Sequence, residues 1–123
     1  MLRGGSITLE SDAKEIRRKL EDKYPFPLNL CKPPVKSMHA RGYQIVMGRV
    51  YVDNYCNMGQ PDVIPLHYWI YDPCSKRYCD ITASQFNIHL SPGKKLPEIY
   101  IWSEGEKTIY IEERRELSPY EVL

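Results

Sequence analysis

Three side chains of the types that cooperate in acyl-transfer chemistry occur in this sequence: Cys31, His67 and Asp80. A histidine beside a thiol can take the thiol proton and later return it to a leaving group. A carboxylate beside that histidine fixes its tautomer and stabilises its protonated form. Composition and spacing alone favour a plainer interpretation, with a buried thiol, a hydrogen-bonded strand histidine and a surface charge. The catalytic interpretation therefore depends on whether the fold brings the three side chains together.

A hairpin is the element that would place the histidine beside the aspartate. Residues 72–75, Asp-Pro-Cys-Ser, have the composition of a type I turn between two strand-like segments. With these residues as the loop, Tyr71 pairs with Lys76, and the same register puts His67 directly opposite Asp80. Cross-strand neighbours have Cβ atoms about 4.5–5.5 Å apart. We therefore expect the imidazole to contact the carboxylate.

A short helix is predicted to begin directly after Cys31. Pro33 and Pro34 suit the first turn of a helix, and Gly42 is a natural C-terminal stop. The free amides and the dipole at a helix N-terminus lower the pKa of a cysteine and can stabilise an oxyanion. Asn29 lies two residues before the cysteine, so we assign it as a further donor to that oxyanion.

The remaining elements complete an α+β architecture in one domain, residues 1–123. An N-terminal helix is predicted from a capping box formed by Asp12 and Glu15. The strands after it are predicted to form an antiparallel sheet, and the last two of them a hairpin. The predicted segments are a helix over residues 12–23, strands over 43–52, 66–71, 78–82, 98–102 and 108–112, a loop over 53–65, and a solvated charge run over 112–116.

Composition and charge exclude several classes of function. The chain has 17 basic and 16 acidic residues, so nothing in its charge favours nucleic acid or an anionic membrane as a partner. No apolar run approaches the roughly 18 residues that span a bilayer, and the N-terminus lacks the apolar stretch of a signal peptide. No phosphate-binding loop is present, so no cofactor is expected. These features predict a cytoplasmic protein, with a mature form whose signal peptide has been removed as the alternative.

The other three cysteines leave alternatives open. Cys56, Cys74 and Cys79 could hold zinc together with His67, because thiolates and imidazole are the usual zinc ligands. The C-x4-C spacing of the last two is loose for such a site, so no metal is predicted. A local disulfide is the next alternative. Free thiols are the favoured state in a reducing compartment.

Two segments of the sequence resemble a known family. The stretch His67-Tyr68-Trp69 is similar to the H-x-W strand of small papain-like (transglutaminase-like) cysteine hydrolases. Residues 80–86, Asp-Ile-Thr-Ala-Ser-Gln-Phe, resemble their D-x-T-A-x-Q-F segment. The likeness extends from about residue 12 to residue 112. It departs at the helix after Cys31, which is short and rich in proline where the family has a longer helix with small residues.

This resemblance implies a papain-like fold with N-terminal helices packed on an antiparallel sheet. It implies Cys31 as the nucleophile, His67 as the general base and Asp80 as the residue that orients the base. The reaction would be hydrolysis or acyl transfer at an amide bond of a peptide or protein, as in a peptidase, deamidase or amidase. The alternative is a catalytically inactive papain-like module that binds a peptide or partner protein in the same cleft.

Overall fold

Two helices pack on a five-stranded antiparallel sheet. The structure, a computed structural model, describes residues 5–24, 30–53 and 62–122, without the side chains of residues 5–7 and 62. The predicted α+β class is confirmed. No helix in these ranges has the length and apolar character needed to cross a membrane. The elements are α1 Gly5–Lys23, α2 Lys32–Ala40, β1 Gln44–Val52, β2 Asp62–Asp72, β3 Arg77–Asp80, β4 Tyr100–Ser103 and β5 Tyr110–Leu117, with 3-10 helices at Ala83–His89, Pro92–Lys94 and Pro119–Glu121.

Helix α1 begins at Gly5, earlier than predicted, so Asp12 and Glu15 lie inside it and form no capping box. Both side chains bind the segment that follows α2. The Asp12 carboxylate accepts hydrogen bonds from Arg41 Nη1 at 2.7 Å and from the Tyr43 hydroxyl at 2.6 Å, and Glu15 pairs with Arg41. These acidic residues therefore connect the two helices to the start of the sheet.

The sheet has the strand order β4-β3-β2-β1-β5. Strands β4 and β5 lie at opposite edges, so the predicted hairpin between them is wrong. The sheet is nevertheless curled, so that its two edge strands approach each other. The rings of Trp102 in β4 and Tyr110 in β5 stack with centroids 4.4 Å apart. The Tyr78 hydroxyl in β3 likewise donates to Glu112 in β5 at 2.7 Å. Curling encloses aromatic side chains that a flat sheet would leave exposed.

The curled sheet separates two hydrophobic clusters. Alternate residues of β2 supply both, because successive side chains of a strand point to opposite faces. Tyr68 and Ile70 pack with the helices, whereas Trp69 and Tyr71 pack inside the curl. Trp69 and Phe86 are both almost completely buried. We call the cluster inside the curl the aromatic interior; its buried members are Val46, Val50, Val52, Trp69, Tyr71, Tyr78, Phe86, Leu90, Trp102 and Tyr110.

Gly48 allows β1, β2 and β5 to approach closely. A Cβ atom at this position would lie 2.0 Å from the Ile111 carbonyl oxygen and 2.6 Å from the Trp69 ring. The β1–β2 register shifts immediately after the pair Gly48–His67, as it does at a β-bulge. Only glycine fits here without displacing β5 or the Trp69 ring.

Two strands extend further than predicted. Strand β2 begins at Asp62, within the segment predicted as a loop. Strand β5 continues to Leu117 and includes the charge run, whose side chains are mostly exposed at the sheet edge. Charged side chains on an edge strand oppose pairing with other chains.

Candidate functional site

The β2–β3 hairpin differs in register from the prediction. Tyr71 lies opposite Tyr78 and not opposite Lys76, so the loop starts one residue later than expected. Asp72 belongs to the ladder, and its carboxylate accepts the Cys74 amide at 3.0 Å, which stabilises the turn. Lys76 closes the loop with a φ of 57°, in the left-handed region. The sequence alone contains no signal for the left-handed backbone conformation at Lys76.

His67 and Asp80 meet in spite of the register difference. The observed register differs from the predicted one by two residues, and a shift of two keeps every side chain on its original face. The imidazole Nε2 lies 2.8 Å from Asp80 Oδ2. The predicted contact is confirmed, as a diagonal pair in place of a directly opposed one.

The Asp80 carboxylate is fully buried and receives hydrogen bonds on both oxygens. Oδ2 is within bonding distance of His67 Nε2 and also accepts the Tyr110 hydroxyl at 2.5 Å. Oδ1 accepts the Thr82 amide at 3.1 Å and the Thr82 hydroxyl at 3.3 Å. Tyr110 was not identified from the sequence, because it lies on β5 at the far edge of the sheet and matches no motif.

The segment after Asp80 holds the pair in place. Gln85 Nε2 donates to the Thr82 carbonyl oxygen at 3.0 Å and to the Thr82 hydroxyl at 2.8 Å. Phe86 packs edge-on against the His67 ring, with centroids 4.7 Å apart. The threonine and the phenylalanine of the D-x-T-A-x-Q-F segment therefore contact the aspartate and the histidine directly, and the glutamine supports the threonine.

The electrostatics of the pair favour its charged form. Burial by itself lowers the pKa of His67, but the charge of Asp80 and hydrogen bonds to Asp80 and Cys31 outweigh it and raise that pKa to about 9. Burial also opposes ionisation of Asp80, yet the charge and hydrogen bond of His67 hold its pKa below the ordinary value. At neutral pH the site therefore contains an imidazolium beside a carboxylate.

Cys31 lies at the N-cap of α2, half-buried, and is close enough to His67 for its thiol to contribute to the raised pKa of that imidazole. The structure thus brings Cys31, His67 and Asp80 together in a row. The helix supplies fewer oxyanion donors than predicted, because Pro33 and Pro34 have no amide hydrogen.

Two further sequence predictions concern residues around this row. Asn29, assigned as an oxyanion donor, lies outside the described residues, as does Cys56. Cys74 is exposed and Cys79 is buried, and both are free thiols, so the alternative of a disulfide between them is wrong. Burial raises the pKa of Cys79 well above its ordinary value. Within the described ranges, no group of three potential metal ligands occurs.

The candidate site therefore consists of a thiol, an imidazole and a carboxylate that lie close together. No family model, curated protein or solved structure matches this chain.

Proposed function

We propose that this protein is a cysteine-dependent hydrolase or acyl transferase that acts on an amide bond of a peptide or protein. The observation that carries the proposal is the position of His67, which bonds Asp80 at 2.8 Å and lies close enough to Cys31 for that thiol to contribute to its raised pKa. Because Nε2 is occupied by the carboxylate, Nδ1 is the nitrogen left to exchange a proton with the thiol. This is the arrangement that nucleophilic catalysis by cysteine requires.

The reaction follows from these roles. The Cys31 sulfur attacks the carbonyl carbon while its proton resides on His67, and the carbonyl oxygen takes up negative charge near the N-terminus of α2. The carbon–nitrogen bond then breaks, the imidazolium donates its proton to the departing amine, and a thioester remains. Water or a second amine attacks the thioester, with His67 accepting its proton and returning it to the thiol. Asp80 stays ionised throughout.

The resemblance to papain-like hydrolases adds support to this proposal. Thr82 binds Asp80, Gln85 binds Thr82 and Phe86 packs on His67, which gives the D-x-T-A-x-Q-F segment a physical purpose. A cysteine at a helix N-terminus beside a sheet that bears histidine and aspartate agrees with the same class. We extend the proposal to a papain-like fold and, because the described cysteines are free thiols, to a cytoplasmic location.

Trapping of an acyl-enzyme tests the proposed function. The protein is mixed with p-nitrophenyl acetate, quenched in acid and digested, and the acetylated cysteine is located by mass spectrometry. We expect acetyl transfer to Cys31 with release of p-nitrophenol, and its loss in Cys31→Ala and in His67→Gln. Cys74→Ser is the matched control, because it removes an exposed thiol and should leave acetylation of Cys31 unchanged.

Two outcomes would contradict the proposal. Acetylation spread over Cys31 and Cys74 at similar rates would mean that Cys31 is not activated. Acetylation of Cys31 that persists in His67→Gln would mean that the imidazole is not the base. Either result would make the catalytically inactive binding module the better interpretation.

A further inference from the structure

We propose that Tyr110 is a positioning residue that limits the basicity of His67 by hydrogen bonding to Asp80. This inference rests on the proposed function for its catalytic meaning, but its geometry is independent of the thiol. The Tyr110 hydroxyl donates to Asp80, and the centroid of its ring lies 6.2 Å from that of His67. It acts on the oxygen that lies between itself and the histidine.

The decisive contact is the sharing of one carboxylate oxygen. Asp80 Oδ2 lies 2.8 Å from His67 Nε2 and accepts the Tyr110 hydroxyl at 2.5 Å. Thr82 occupies the other oxygen, Oδ1, with its amide and hydroxyl. A donor on Oδ2 therefore competes directly with the imidazolium for the same negative charge.

The packing of Tyr110 keeps this donor in place. Its ring stacks on Trp102 with centroids 4.4 Å apart and meets the Trp69 ring edge-on at 5.1 Å. Only 7% of the residue is exposed, and burial raises the pKa of its hydroxyl well above the ordinary range. The hydroxyl therefore remains protonated and cannot rotate to solvent.

The titratable groups around the pair are few among the described residues. His67 faces Asp80 of β3 and Cys31 of α2. Asp80 faces His67 and Tyr110, with Cys79 as its buried neighbour in β3. Tyr110 itself is influenced by Asp80, Cys79 and Tyr100. At neutral pH, Asp80 and His67 are the charged members, so a hydrogen bond to Asp80 acts mainly on the titration of His67.

This arrangement suits a histidine that must both take and return a proton. An imidazole held too strongly by a carboxylate is a good base, but its protonated form is a weak acid toward a departing amine. A second donor on the carboxylate withdraws part of the charge that stabilises the imidazolium. Tyr110 would therefore speed the return of the proton to the leaving group.

NMR titration of the His67 ring tests the inference in a Cys31→Ser background. We expect Tyr110→Phe to raise the pKa of His67 by about 0.5–1 unit, because the phenylalanine keeps the ring and removes the donor. Tyr78→Phe is the matched control, since it removes the hydroxyl of another buried tyrosine that donates to a carboxylate, Glu112, away from His67. An unchanged or lower His67 pKa in Tyr110→Phe would overturn the inference, as would an equal rise in Tyr78→Phe.

A second variant covers a failure of Tyr110→Phe to fold. Site-specific 3-fluorotyrosine at position 110 keeps the hydroxyl and makes it a stronger donor, so the pKa of His67 should fall. No fall would contradict the inference. Because these titrations are made without the Cys31 thiol, they succeed or fail separately from acyl-enzyme trapping. A shifted His67 with no acylation of the wild-type protein would reject the proposed function and retain the role of Tyr110.

Discussion

The two halves of the candidate site are held very differently. His67 and Asp80 are 2% and 1% exposed, and their partners come from β5 and from the segment that follows β3. Cys31 is half-buried at the first turn of a nine-residue helix, with His67 as its polar partner. The base is thus part of the core, whereas the thiol lies at its border. Changes to the base should therefore affect folding and reactivity together, and changes to the thiol should affect reactivity alone.

The largest effect is expected for Asp80→Asn. The change removes a buried charge that faces His67 and accepts four hydrogen bonds. Removing one partner of a buried ion pair costs about 3–5 kcal/mol, so we expect a loss of that size in urea unfolding and loss of Cys31 reactivity. Asp72→Asn is the control, a buried aspartate that binds only its own turn. It should cost about 1 kcal/mol and leave Cys31 unchanged. Equal losses of stability and of Cys31 reactivity in both variants would mean that the Asp80–His67 pair contributes no more than an ordinary buried aspartate.

The next effect is a dependence of stability on pH. The pKa of His67 is raised from 6.5 to about 9 in the folded protein. The resulting stabilisation is complete below the unfolded pKa and disappears as the pH rises through the folded one. We expect the unfolding free energy to fall by about 3 kcal/mol between about pH 6 and pH 10. The difference between wild type and His67→Gln isolates this contribution from other titrations. Parallel stability curves for the two proteins would contradict it.

A smaller loss of stability is expected for Gly48→Ala, at the position in β1 that pairs with His67. In Gly48→Ala the added methyl group would meet the Ile111 carbonyl oxygen at 2.0 Å and the Trp69 ring at 2.6 Å. Overpacking of this kind costs about 1–3 kcal/mol. Gly93→Ala is the control, because a Cβ atom there meets nothing within 4 Å. Thermal unfolding should show a clear loss for the first variant and little change for the second. Similar melting temperatures would mean that β1 and β5 are less closely packed.

The smallest effect on stability is expected for Cys31→Ser, within about 0.5 kcal/mol, because the thiol lies at the edge of the core. Cys79→Ser provides the comparison, since Cys79 is completely buried in the cluster beside the helices. A hydroxyl there has to be buried, at a cost of about 1–3 kcal/mol. A larger loss for Cys31→Ser than for Cys79→Ser would place the thiol in the structural core and remove the contrast between the two halves.

The contact between His67 and Asp80 was predicted correctly from the sequence, because the error in the predicted register was an even number of residues. The loop was placed one residue early, which shifted the register by two and left His67 and Asp80 on one face. An error of one in the register would have separated them. The helix after Cys31 was likewise readable, since Pro33 and Pro34 mark its first turn and the helix ends before Gly42.

The support around the pair was not predictable, because it depends on the curl of the sheet. The segment between Trp102 and Tyr110 resembles a hairpin loop, yet β5 pairs with β1 at the opposite edge. Local sequence contains no signal for the pairing of β5 with β1 instead of β4. That pairing encloses the aromatic interior. The contact between Tyr110 and Asp80 follows from the curl, so sequence patterns alone could not find it.

The central claim is that His67 activates Cys31, and the rate of iodoacetamide labelling at each cysteine tests it most directly. Peptide mapping between about pH 5 and pH 9 compares Cys31 with Cys74, an exposed thiol away from the site. We predict that Cys31 reacts at least about tenfold faster near pH 6, and that His67→Gln removes this advantage while it keeps a donor toward Asp80. Equal rates at Cys31 and Cys74, or an advantage that survives in His67→Gln, would contradict the account.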